Sequence, residues 1–231
     1  MKKGTTLKSN INTLYGGGPK QYQQGWTEFY KLKFKLTPDV LIPRPETELL
    51  VDEAIKLNPN SVLEVGTGSG CITISIAKNT SQTKIVAVDI SEKALKVAEQ
   101  NAKFHNVEDQ IIFLQSDLLD FLSTAPSVKK FDLLVANLPY IPTARLMQID
   151  PLVSQFEPTL ALDGGQDGFE LYRRLFAQMR EQNTFPRILI AEIDSEQGEI
   201  ALSEAKKYFP NAQVEIKKDL AKKDRILEVN F

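Results

Sequence analysis

The sequence has one cysteine, one histidine and one tryptophan in 231 residues. A lone thiol, Cys71, excludes an internal disulfide and a thiolate metal cluster, and a lone imidazole, His105, removes most zinc-site designs. Charge of one sign is also missing. The 28 basic and 30 acidic residues leave a formal charge of -2. A protein that holds nucleic acid mainly by neutralising phosphates needs a basic excess that is not here. No run approaches the ~20 apolar residues of a membrane span. Met1-Lys2-Lys3-Gly4 leads into polar residues with no apolar signal-peptide core. The expectation is a soluble cytoplasmic protein with no metal centre.

What is present is an ordinary globular composition, 42% hydrophobic and 25% charged, which can bury a sizeable core. Residues 1–25 are polar and broken by Gly16-Gly17-Gly18-Pro19, and read as a loose N-terminal arm, possibly disordered. Residues 26–58 read as a β-hairpin, from the alternation in TEFYKLKFKL, followed by a helix over Glu46–Leu57. From residue 59 to 231, short apolar runs (SVLEV, KIVAVD, IIFLQ, FDLLVAN, RILIAEI) alternate with helical segments. Ser91 stands where a helix N-cap belongs. QVEIKKD and RILEVNF close the chain as two adjacent strands. Such alternation predicts a single α/β domain with a largely parallel sheet covered on both faces.

Gly66-Thr67-Gly68-Ser69-Gly70 lies between the first strand of this unit and a helix. Glycines there permit a sharp turn and close approach of a ligand to the main chain. The next strand ends in Asp89, where doubly wound folds hold the ribose of an adenosine-containing ligand. A dinucleotide fingerprint would place its third glycine at position 71, which is Cys71, so a nicotinamide dehydrogenase is disfavoured. Asp117, at the end of the third strand, could cap a helix. A later strand ends in Asn137-Leu138-Pro139-Tyr140. An Asn side-chain oxygen and the next carbonyl can both accept hydrogens of a planar –NH2, fixing that poor nucleophile in line for attack.

The G-x-G-x-G turn preceded by Glu64 resembles the first motif of class I S-adenosylmethionine-dependent methyltransferases. Asn137-Leu138-Pro139-Tyr140 resembles their N-P-P-Y motif for planar nitrogens, with Leu138 in place of the first proline. LIPRPETELLV, FEPTLALDGGQDGFELYRRL and LIAEIDSEQG resemble segments of the release factor glutamine methyltransferase family, and the intact PRPETE favours that branch. The resemblance runs from about Gly18 to the C-terminus.

It implies a Rossmann-like seven-stranded, mostly parallel sheet whose last strand is antiparallel. It also implies S-adenosylmethionine as cofactor and the Gly-Gly-Gln glutamine of a peptide chain release factor as substrate. Asn137, Leu138, Pro139 and Tyr140 would be the catalytic turn, with Tyr140 covering the amide. Gly66, Thr67, Gly68, Ser69, Gly70, Asp89, Asp117, Leu118 and Asn137 would hold the cofactor. Most of the family's N-terminal helical domain would be missing. An adenine-N6 methyltransferase of DNA or RNA and a non-catalytic cofactor-binding module are the alternatives. Arg44 is expected to pair within the fold or shape the substrate mouth, Glu46 and Glu48 to open a helix, and Glu192 to support the catalytic turn. His105 is expected at the surface and Cys71 in the core, with Gly164-Gly165-Gln166 as a turn.

Overall fold

Each apolar run becomes a strand of one sheet in the computed structural model, which describes residues 18–124 and 130–231. In chain order the elements are helix α1 (Lys20–Gln24), strands β1 (Trp26–Phe29) and β2 (Leu32–Lys35), helix α2 (Glu48–Lys56) and strand β3 (Ser61–Val65). Then come α3 (Cys71–Asn79), β4 (Lys84–Asp89), α4 (Glu92–Phe104), β5 (Ile111–Gln115), β6 (Leu133–Ala136) and α5 (Pro151–Ser154). The chain ends with α6 (Glu170–Glu181), β7 (Ile188–Glu192), α7 (Gly198–Tyr208), β8 (Gln213–Lys218) and β9 (Asp224–Asn230).

The seven-stranded sheet has the order β5-β4-β3-β6-β7-β9-β8. Its first five strands pair in parallel, and β9 runs antiparallel to both neighbours. The class I methyltransferase architecture expected from the motifs is thus present, with the last strand reversed. Parallel strands covered on both faces need side chains buried on both, which explains why β6 and β7 are apolar at nearly every position. Alternation divides these side chains between two cores. Leu63, Val65, Leu134, Ala136, Leu189 and Ala191 pack with α6 and α7. Val62, Leu133, Val135, Ile188 and Ile190 pack with α2 and α3. α3 is buried from Cys71 to Ala77 because it lies in the middle of this second layer. Cys71 is accordingly in the core. Among the described residues no helix is long and apolar enough to cross a membrane.

The hairpin forms as expected, turning through Tyr30 and Lys31 at φ 50° and 58°. That two-residue left-handed turn matches the twist of the strands it joins. Glu48 accepts the Tyr30 N–H at 2.7 Å and Asp52 accepts the Tyr30 hydroxyl at 2.7 Å, docking the hairpin on α2. The helix expected from Glu46 is a 3-10 turn over Pro45–Thr47 that continues into α2. Ser91 caps α4 by accepting from the Ala94 N–H.

Two expectations need revision. His105 is buried, its Nε2 2.8 Å from the Lys33 carbonyl, because β2 lies across the end of α4. The N-terminal arm shortens: its residues 1–17 lie outside the described ones, but α1 is formed and Tyr22 is buried, donating to the Val40 carbonyl at 2.6 Å.

Candidate active site

The chain leaves β3 toward β4 on one side and later enters β6 on the other, so the carboxyl ends of β3 and β6 flank a topological switch point. A cavity of about 320 Å³ opens there. It is lined by Gly66, Thr67, Gly68 and Ser69 after β3, Asp89 after β4, Asp117 and Leu118 after β5, and Asn137, Leu138 and Pro139 after β6. Ten of the expected site residues therefore converge on one hollow of the size that takes a small-molecule cofactor.

The turn after β3 is held by its own surroundings. The Gly66 and Thr67 N–H groups donate to the Val88 carbonyl, and Gly68 N–H donates to Asp89 Oδ2 at 2.8 Å. Gly66 and Gly68 sit at φ 83° and 54°, the left-handed region that glycine enters without cost. A Cβ at Gly68 would meet nothing within 4 Å, so the main chain faces open space where a ligand can approach. Gly70 caps α3 and packs on Ala98 instead of lining the cavity.

Asp89 also accepts the Ser91 N–H at 2.9 Å. Burial raises its pKa, and the backbone donors at Ser91, Gly68 and Ile90 oppose that rise. Glu64, wholly buried beneath the turn, accepts the Thr67 hydroxyl at 2.7 Å while its Oε1 has no partner. Burial pushes its carboxyl up to about 7. Asp117 pairs with Arg174 at 2.7 Å, so its carboxylate lies at the cavity wall beside Leu118, engaged by a guanidinium and not by a helix N–H.

The turn after β6 is held from a distance. The Leu138 N–H, which a proline would lack, donates to the Tyr172 hydroxyl at 3.2 Å. That hydroxyl in turn donates to the Glu192 carbonyl at 2.5 Å. Gln197 Nε2 donates to the carbonyls of Tyr140 and Gly168 at 3.0 and 3.1 Å. Gly164 N–H donates to Ile141 O, and Ile141 N–H to Leu162 O, so the glycine segment lies alongside the turn like a short extra strand. A Cβ at Gly164 would come within 2.6 Å of the Pro139 carbonyl, and one at Gly168 within 2.2 Å of the Tyr140 carbonyl. Gly164-Gly165-Gln166 is thus a turn, as expected, and also a brace.

The Asn137 side chain donates from Nδ2 to Thr47 Oγ1 at 3.3 Å, which leaves Oδ1 as its accepting end. Tyr140 is not brought to the cavity wall. Its hydroxyl interacts with the buried Glu192 carboxyl, and burial raises its pKa well above the usual phenol range. Glu192 supports the turn as expected, and burial pushes its carboxyl up to about 7 against the Thr47 and Tyr140 hydroxyls. Arg44 pairs with Glu157 at 2.6 Å, the fold role expected of it, and also lines the cavity. Thr47, Tyr172 and Gln197 are the supporting residues that sequence reasoning passed over. All three lie inside the segments that carried the family resemblance, which was the available signal.

A methyltransferase domain family model matches residues 58–228. The release factor glutamine methyltransferase of Thermodesulfovibrio yellowstonii is 34% identical over 228 residues, covering 96% of this chain and 80% of that protein. The enzyme of the same name from Moorella thermoacetica is 39% identical over 219 residues, covering 93% and 76%. That of Geobacter sulfurreducens is 39% identical over 186 residues, covering 80% of this chain and 63% of the relative. Among solved structures, the hMettl16 catalytic domain in complex with the MAT2A 3'UTR hairpin 1 matches with a TM-score of 0.71 at 12% identity, covering 97% and 91%. A Bacillus cereus O-methyltransferase in complex with SAH matches with a TM-score of 0.54 at 12% identity, covering 100% and 93%. At such identities these structures speak for the fold alone. With the sheet order, the two turns and the sequence relatives in agreement, the chain belongs to the release factor glutamine methyltransferase family.

Proposed function

We propose that this chain methylates the side-chain nitrogen of the Gly-Gly-Gln glutamine of peptide chain release factors, using S-adenosylmethionine. The observation that carries the reading is Asn137, whose amide is turned by Thr47 so that Oδ1 is left to accept. The cavity fits the cofactor: the Gly68 main chain is unobstructed, Asp89 offers a carboxylate for ribose hydroxyls, and Leu118 beside Asp117 offers an apolar face for adenine.

When bound, S-adenosylmethionine supplies a methyl group made electrophilic by its sulfonium. The protein's task is then to present a nucleophile. An amide nitrogen has a delocalised lone pair, and holding its two hydrogens on Asn137 Oδ1 and the Leu138 carbonyl fixes it in one orientation. The same two acceptors stabilise positive charge developing on nitrogen as the new bond forms. Leu138 is buried at the cavity wall, and its N–H is held by the Tyr172 hydroxyl. A release factor substrate implies a cytoplasmic protein partner, and the formal charge of -2 argues against a nucleic acid in that place.

The test is transfer of radiolabel from S-adenosylmethionine to a full-length release factor, a Gly-Gly-Gln peptide and an adenine-containing duplex. Label is expected on the release factor and absent when its glutamine is replaced. Label on the duplex alone would assign the site to adenine.

A further inference from the structure

Leucine rarely enters the left-handed backbone region, yet Leu118 sits there at φ 50°. Among the described non-glycine residues with such a φ, it is the one that lines the cavity. The Asp120 N–H donates to the Asp117 carbonyl at 3.1 Å across it, and Leu119 follows at φ -97° and ψ 11°. That order of signs belongs to the tight turn whose second residue is normally glycine. The Leu118 side chain is nevertheless kept, buried as part of the cavity wall. Backbone strain of this kind persists only where the surroundings impose it, and it concentrates at binding sites.

The imposing element is α6. Arg174, Gln178 and Gln182 are four residues apart, so they form a row along one face of the helix and its C-terminal cap. Arg174 donates to Asp117 Oδ2 at 2.7 Å, just before Leu118. Gln178 Oε1 accepts the Leu119 N–H at 2.7 Å, and its Nε2 donates to Asp120 Oδ1 at 2.8 Å. Gln182 Nε2 donates to the Leu119 carbonyl at 2.9 Å. The row thus grips the chain on both sides of Leu118 and leaves the leucine itself to the cavity. Arg174 reaches the cavity wall, whereas Gln178 and Gln182 stand behind it. A carboxamide suits the central place, because one end accepts a main-chain hydrogen while the other donates to a carboxylate.

We infer that Gln178, with Arg174 and Gln182 on the same face, is a positioning residue for the cofactor, holding Leu118 in its left-handed conformation so that the leucine side chain forms the platform for adenine. The inference rests on the proposed placement of adenine on Leu118. Gln178 acts through Leu118 and needs no contact with the cofactor.

The experiment measures Tm and, by calorimetry, Kd for S-adenosylhomocysteine and for adenosine, in the full chain. Gln178→Met keeps the side chain's length and removes both of its hydrogen bonds. It is expected to weaken both ligands about 10-fold, since the platform serves the half they share. Leu118→Ala should weaken them about 10-fold as well, through lost apolar contact. In the Leu118→Ala background, Gln178→Met should add less than about twofold, because the side chain that it positions is gone. Leu118→Gly should bind as weakly as Leu118→Ala yet melt at a higher temperature, glycine being free of left-handed strain. A purely structural Gln178 would lower Tm with Kd unchanged, or weaken binding equally in both backgrounds, and either result would overturn the inference. So would a Leu118→Gly variant that melts below Leu118→Ala. Parental Kd in Leu118→Ala would remove adenine from Leu118 and the inference with it. Label transfer to the release factor tests the proposed reaction separately from all of these.

Discussion

The turns after β3 and β6 face the same cavity yet are built on opposite principles. The first is made locally: left-handed glycines, main-chain donors that bond to the adjacent β4, and the Asp89 carboxylate 21 residues on. The second contains no glycine and is shaped by side chains from far away, Thr47, Tyr172 and Gln197, lying 90, 34 and 57 residues from their partners in the turn. A backbone-made turn, its N–H groups bonded within the protein, leaves open space over its main chain for a ligand. A turn braced from behind can aim specific side-chain and carbonyl oxygens. In the proposed reaction the former would hold the cofactor and the latter would orient the nucleophile.

The largest expected effect tests the bracing. Gly168→Ala forces a Cβ to within 2.2 Å of the Tyr140 carbonyl at φ 78°. It should cost about 4 kcal/mol, adding left-handed strain to overpacking, and should lower both Tm and transfer. Gly68→Ala at φ 54° meets open space and should cost only about 1 kcal/mol of stability. Comparable losses of Tm in the two variants would erase the distinction between the turns.

Next comes Glu64, under the first turn. Its folded pKa is raised from 4.5 to about 7, so its stabilising neutral form is fully present below about 4.5 and lost as pH rises through about 7. At 1.36 kcal/mol per unit this is about 3 kcal/mol. Glu64→Gln should therefore raise denaturant-derived stability at pH 8 by up to that amount and leave it unchanged near pH 4. A gain that is the same at both pH values would show that ionisation is not the cause.

Tyr172→Phe should cost about 2 kcal/mol, because the buried Leu138 N–H loses its acceptor. In a Leu138→Pro background that N–H no longer exists, and the penalty should shrink to under ~1 kcal/mol. Urea melts of the four proteins in this double-mutant cycle measure the coupling. Strict additivity would mean that Tyr172 does not brace the turn through Leu138. Smallest is Gln197→Ala, at about 1 kcal/mol, with a modest fall in kcat from a loosened Tyr140 carbonyl.

The same contrast explains how much could be read from the sequence. The strands and helices were legible because alternation and apolar runs report burial directly, as in β3, β6 and β7. The glycine turn and Asp89 were legible because they are close together in the chain. The bracing of the second turn was not, since nothing local links Tyr172 to Leu138 or Thr47 to Asn137. The segments containing these residues could be noticed, but not what each residue touches. His105 was misplaced for a similar reason, as the strand that covers it lies 72 residues away. Tyr140 follows the motif in sequence, and Gln197 holds its carbonyl from 57 residues away.

The position of β9 between β7 and β8 bears on how the molecule comes to exist. A ribosome releases β7 and then β8 before β9, so the edge of β7 waits unpaired while the chain is still growing. Left unpaired, that edge would present a row of N–H and C=O groups beside the turn after β6, open to strands from other molecules. Entry of Asp224–Asn230 closes that edge, pairing Ile226 with Glu192, the residue on which the turn's support converges. Pairing of that strand thus closes the open edge of the parallel strands right beside the residue whose carbonyl holds the Tyr172 hydroxyl.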